Sequence, residues 1–181
     1  MQVIGLLLLL SILFVSSIAQ SGKKGDMDAY RKRVGAKYLT EKALEEGITT
    51  LKSGMLIEIL EPSTKDNAKS PTKGDQCRVT YKGTLHSGEQ FDAGTHTFAP
   101  NQVIAGWTEA MQYMVEGDKW KLHIPYDLAY GERGAGARIP PYSTLVFEIQ
   151  IHEVLSGGKD GEQAKQMLED GTAKNDGNKE L

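Results

Sequence analysis

Two stretches of the chain alternate apolar and polar residues almost without a break. In "DKWKLHIP", Trp120, Leu122 and Ile124 stand opposite Lys119, Lys121 and His123. In "STLVFEIQIHEV", Leu145, Phe147, Ile149 and Ile151 share one face. Successive side chains of a strand point to opposite sides, so this period predicts two half-buried strands. "CRVTYKGTL" shows the same period, with Cys77, Val79 and Tyr81 opposite Arg78, Thr80 and Lys82. A turn at "HSGEQ" follows, and a further strand begins at Gln90. Met55 to Glu61, introduced by a Ser53-Gly54 turn, reads as another strand. The period changes in "IAGWTEAMQYM", where Ile104, Trp107, Met111 and Met114 recur at three- and four-residue spacing and predict the helix of the core. Met27 to Leu39 is charged and reads as a solvated, lightly packed helix or pair of turns, with Gly35 weakening the helix. Pro62 to Asp75 reads as a loop, and Gly161 to Asp170 as a short helix before a mobile tail. Antiparallel strands with one short core helix predict an α+β fold, a twisted half-barrel sheet wrapped around that helix.

Composition changes little in this picture, but the first residues change the address. The chain has 181 residues, of which 39% are hydrophobic, and a net charge of −3, which offers no basic footprint for nucleic acid. An apolar run from Val3 to Val15 precedes Ser17-Ile18-Ala19, the small-x-small pattern of a cleaved signal peptide over residues 1–19. The run is shorter than the ~20 residues a membrane helix needs. It lacks a preceding Lys or Arg, which leaves an uncleaved anchor as the other reading. The predicted organisation is a signal peptide (1–19), a polar extension (20–53), a domain (54–155) and a polar tail (156–181). The ending "NKEL" loosely matches a KDEL-type retrieval signal, so the lumen of the endoplasmic reticulum and secretion are both open destinations. Cys77 is the single cysteine, which excludes an internal disulfide; its strand face predicts a buried, inert thiol, with a mixed disulfide as the other reading.

The glycine-rich "LAYGERGAGARIPP" first suggests a phosphate cradle. Such cradles need a helix directly after the glycines, and here Pro140-Pro141 and a strand follow. The histidines fit no metal-ligand spacing, and His123 and His152 fall on polar strand faces, where solvent exposure is expected. No cofactor or metal is expected. What remains is Tyr81, Phe91, Phe98, Val103, Ile104, Trp107, Tyr130, Ile139 and Phe147, each of which taken singly reads as packing. Asp92 is the exception, because a carboxylate among apolar residues needs a hydrogen-bond partner or a substrate.

Together, "VTYKGTL", "GEQFDAG", "QVIAGWTEAM", "LAYGERG" and "IPPYSTLVFEIQI" resemble the FKBP family of peptidyl-prolyl cis-trans isomerases, over roughly Gly74 to Val154. The upstream "KYLTEKALEEGITTLKSGMLIEILE" resembles the secreted macrophage infectivity potentiator subgroup. The resemblance implies an apolar pocket between sheet and helix. Trp107 would form its floor and Tyr81, Phe98, Val103, Ile104, Ile139 and Phe147 its walls. Asp92 would sit at the rim beside Tyr81 and Phe91, and the Tyr130 hydroxyl would reach a carbonyl of the bound peptide. It further implies proline-containing peptide or protein substrates, binding of macrolides such as rapamycin and tacrolimus, and a monomer. A non-catalytic binding module or chaperone on the same pocket is the alternative. Ala135 and Arg138 depart from the family pattern, and Arg138 at the lip suggests a preference for acidic residues near the proline.

Overall fold

Alternating stretches become strands only where each finds a partner for its backbone, and here the partners form one six-stranded sheet. The structure, a computed structural model, describes residues 25–172. The predicted signal peptide and the "NKEL" ending therefore lie outside the described residues. The elements in order are helix α1 (25–42), β1 (Ile48–Thr50), β2 (Leu56–Glu61), β3 (Lys69–Ser70), β4 (Cys77–Leu85), β5 (Gln90–Phe98), α2 (Ala105–Met111), β6 (Lys119–Ile124), β7 (Leu145–Val154), β8 (Lys159–Asp160) and α3 (Gly161–Gly171). The sheet runs β1-β2-β6-β7-β4-β5, and every neighbouring pair is antiparallel. This is the expected α+β architecture. Its first strand, Ile48–Thr50, comes from the stretch ahead of Gly54.

Register aligns the apolar faces. Tyr81 pairs with Ile149 and Gly83 with Phe147 across β4 and β7, while Leu122 pairs with Phe147 and Trp120 with Ile149 across β6 and β7. One face thus carries Val79, Trp120, Leu122, Ile124, Leu145, Phe147, Ile149 and Ile151, all buried. Helix α2 covers that face through Trp107, Ala110 and Met111, which are also buried. Met114, beyond the helix end, is fully buried in the same core. Burying apolar side chains of this size contributes roughly 1.5–3 kcal/mol each, which makes this layer the main stabilising feature of the fold.

On the opposite face, helix α1 is mostly exposed, as expected, and packs lightly against the sheet through one buried residue. Gly35 is buried on it, and a methyl group there would collide with the Thr144 hydroxyl. The helix interior tolerates this glycine because close approach outweighs its poor propensity of roughly 1 kcal/mol. One turn on, the Tyr38 hydroxyl lies 2.7 Å from His123 Nδ1, and Lys32 sits over the Tyr142 ring at 4.1 Å. His123, expected in solvent, is only 1% exposed. Alternation correctly assigns it to the outer face, but alternation carries no information about what covers that face. His152 stays half-buried, with Nε2 2.7 Å from the Thr80 hydroxyl.

Two further elements brace the edges. β3 arises inside the predicted loop and pairs with β8. The Asp160 side chain then caps α3 by accepting from Glu162 N at 3.0 Å, as N-cap carboxylates commonly do. The end of α3 returns to the turn before β2, where Lys52 N donates to the Gly171 carbonyl at 2.9 Å.

Candidate active site

Between α2 and the sheet lies a cleft of about 430 Å³, lined by Tyr81, Phe91, Asp92, Phe98, Gln102, Val103, Ile104, Trp107, Tyr130 and Phe147. β4 brings Tyr81 and β5 brings Phe91, Asp92 and Phe98. Gln102 ends the short 3₁₀ turn Pro100–Gln102, and Ile104 is the N-cap residue of α2. Trp107 follows on the first turn of α2, so its ring is fixed by the helix rather than by a loop.

The aromatic rings hold one another edge to face. Trp107 meets Tyr81 at 5.3 Å and 77°, Phe98 at 6.0 Å and 84°, and Phe147 at 5.1 Å and 84°. Phe91 meets Phe147 at 5.4 Å and 81°. Such geometries place the positive ring edge on a negative face and hold each ring in one orientation. Behind them sits Gly83 of β4, where an added methyl would fall 2.6 Å from Phe147 and 2.7 Å from Phe91. Only a residue without a side chain lets both rings approach the strand this closely.

The polar groups gather at the rim. The Tyr81 hydroxyl donates to Asp92 Oδ2 at 2.8 Å, and the Ala93 N–H donates to Asp92 Oδ1 at 2.9 Å. The carboxylate that looked unpartnered in the sequence is thereby held by the neighbouring strand. Burial, then the hydrogen bond to Asp92, pushes the Tyr81 phenol up to about 12. Tyr130 is 40% exposed, and its phenol is also raised, by burial and then by the Asp92 charge. Both phenols are protonated donors at neutral pH. Cys77 contributes nothing here: its thiol is buried and pushed up to about 12, chiefly by that burial.

Ile139 is the one expected wall residue that does not line this cleft. It lines an adjoining one of about 440 Å³, together with Phe91, Asp92, Tyr130 and the loop Ala135–Arg138. That loop closes on itself through mutual backbone bonds between Ala135 and Ile139, at 2.8 and 3.1 Å. Arg138 Nη1 donates to the Phe91 carbonyl at 2.7 Å and ties the loop to β5. Gln102 was not foreseen. Its side-chain oxygen accepts from Ala99 N at 3.0 Å, and the available signal was its place between Pro100 and Val103 on the way into the helix.

The arrangement can seat a small apolar ring, exclude water around it and offer phenol donors at one edge. Comparison with known proteins agrees. The sequence profile described as FKBP-type peptidyl-prolyl cis-trans isomerase matches residues 67–152. The macrophage infectivity potentiator of Trypanosoma cruzi is 41% identical over 174 residues, covering 89% of this chain and 87% of that protein. The outer membrane protein MIP of Legionella longbeachae is 38% identical over 141 residues, and the match spans 75% of this chain but 58% of the longer relative. The crystal structure of FkpA from Escherichia coli superposes with a TM-score of 0.72 at 34% identity, over 88% of this chain and 73% of that one. Identity at this level along nearly the full length of two chains is shared descent, and the chain belongs to the family of FKBP-type peptidyl-prolyl cis-trans isomerases and shares their enzyme class.

Proposed function

We propose that the enzyme isomerises X-Pro bonds of secretory-pathway or secreted proteins, as a monomer, by seating the proline ring over Trp107 inside the apolar cleft. The observation that carries this reading is the edge-to-face cage of Tyr81, Phe98 and Phe147 around Trp107, with the polar groups confined to the rim. Rotation about a peptide bond costs ~18–20 kcal/mol because amide resonance is lost. X-Pro bonds populate both isomers and exchange over tens to hundreds of seconds without help. Water favours the planar, polar amide over the twisted one, so a dry cleft favours the twisted form. Differential binding of that form lowers the barrier, and ~7 kcal/mol of it corresponds to about 10⁵ in rate. In this reading the Tyr130 hydroxyl donates to a peptide carbonyl, and Asp92 keeps Tyr81 oriented at the rim. The chemistry needs neither covalent bond-making nor a metal.

Tyr130→Phe is expected to lower kcat/KM about 2- to 13-fold, the value of one hydrogen bond of ~0.5–1.5 kcal/mol. Asp92→Ala is expected to lower it about tenfold, since the Tyr81 hydroxyl then loses its partner at 2.8 Å. NMR exchange on an X-Pro peptide measures both, with circular dichroism as the control for folding. Rapamycin, which the same cleft is proposed to take, should compete with the peptide. Wild-type rates in both variants would remove the rim from the mechanism.

Export rests on the Val3–Val15 run and the Ser17-Ile18-Ala19 pattern, and the Legionella relative's description as an outer membrane protein supports it. Expressed with its own N-terminus in a secreting cell, the protein is expected to begin at Gln20. Covering Leu181 with a tag should then release retained protein to the medium. An intact Met1 on recovered protein would contradict cleavage.

A further inference from the structure

The loop from Gly131 to Pro140 carries a feature that isomerase activity alone does not require. The adjoining cleft shares Phe91, Asp92 and Tyr130 with the proline cleft, so the two lie on either side of one wall. Its remaining wall is built of small residues, Ala135, Gly136 and Ala137, and it ends on Arg138 and Ile139. Arg138 is the single cation in that lining. One guanidinium nitrogen is committed to the Phe91 carbonyl. A guanidinium has five N–H donors, so the rest of the fork stays available. Among the described residues, no carboxylate pairs with Arg138 within 4.0 Å. The nearby carboxylate of the lining, Asp92, is occupied by Tyr81 and by Ala93 N.

We infer that Arg138 is a specificity-determining residue, which makes this enzyme favour prolines that have an acidic residue next to them. The inference rests on the proposed seating of proline over Trp107. Consecutive Cα atoms lie 3.8 Å apart, so a neighbour of a seated proline is delivered to the shared wall of Phe91, Asp92 and Tyr130. Small side chains at Ala135 and Ala137 leave the fork open to it. A carboxylate then meets a planar donor already oriented by its bond to a backbone carbonyl, which favours a charge-assisted contact over a floating surface pair. Arg138 is exposed on its solvent side, so the effect is moderate and sensitive to salt.

The test uses two sets of peptides, varied before or after the proline, each with Glu, Gln, Leu or Lys at that position. In at least one set, wild-type enzyme at low salt should show a Glu-to-Gln ratio in kcat/KM of about 3–10, with Lys the poorest. The ratio should fall to about one in Arg138→Met and shrink in molar sodium chloride. A ratio of one in both sets, or an undiminished ratio in Arg138→Met, overturns the inference. If Arg138→Met loses all activity through a disturbed loop, the wild-type ratio and its salt dependence still decide. Failure here is distinct from failure of the site itself. Turnover of Leu-Pro peptides that Asp92→Ala impairs, with no Glu preference, sinks the role of Arg138 alone. Turnover that neither Asp92→Ala nor Tyr130→Phe changes sinks the rim.

Discussion

Gly83→Val is expected to lower kcat/KM on X-Pro peptides by about 10- to 100-fold while the fold persists. The reason lies behind the pocket, not in it. An added side-chain atom at Gly83 would lie 2.6 Å from Phe147, and 2.7 and 2.8 Å from Phe91. Both rings line the cleft, and Phe147 also supports Trp107 at 5.1 Å. The added group stands between β4 and both rings, since Gly83 pairs with Phe147 of β7 and Asp92 of β5, and it pushes the rings off the strand. They move toward the substrate. Overpacking of this kind typically costs ~1–3 kcal/mol, and each ~1.4 kcal/mol lost from the transition state is tenfold in rate. Gly83→Ala should show the same direction at smaller size. The measurement is kcat/KM beside the urea midpoint. A folded Gly83→Val protein with wild-type kcat/KM would show that ring placement does not govern catalysis.

Acidification from pH 7 to pH 4.5 should destabilise the enzyme more than it destabilises a His123→Gln variant. His123 is held neutral, its pKa lowered to about 4, first by burial and then by the charges of Lys42 and Lys121, with Glu45 opposing. The groups around it are Tyr38, Lys42 and Glu45 of α1 and the turn after it, Glu58 of β2, and Lys121 and Glu148 of the sheet beside it. Glu58 lies 4.0 Å from His123 Nε2, too far to hydrogen-bond. In the unfolded chain the imidazole takes a proton near its ordinary pKa of about 6.5. Above that value both states are neutral and the histidine adds no pH dependence. Below it the unfolded state binds the proton and the folded state does not, so stability falls as pH falls from about 6.5 toward about 4. A gap of this size is on the order of 3 kcal/mol at its full extent. Urea midpoints across that range measure it as the difference in slope between the two proteins. His152, also lowered by burial first, leaves a residual slope in both. Parallel slopes would mean that protonated His123 finds a partner.

Most of the strands and the core helix were accessible from periodicity, since a period of two or of 3.6 is set by backbone geometry alone. The phosphate-cradle reading of "LAYGERGAGARIPP" could be rejected on local grounds too, because the residues after the glycines are Pro140-Pro141 and a strand rather than a helix. Gly35 shows where local reasoning stops. Read alone it weakens a helix; against Thr144 it is what lets α1 approach the sheet. β3 shows the same limit, since Lys69–Ser70 is a strand only because Lys159–Asp160 lies beside it.

The sequence by itself determined the α+β class, the family and most of the residues from which the pocket is drawn, because these rest on local pattern and on motif order. Tertiary structure decided how those residues meet. It paired Asp92 with Tyr81 across eleven positions of chain, moved Ile139 to a second cleft beside Arg138 and added Gln102 to the first. It also roofed His123 with Tyr38 from 85 positions away. The physical reason is that a strand's period says which side a residue faces, whereas its neighbours, its solvent and its proton are set by whatever the strand order and the helices bring to that side.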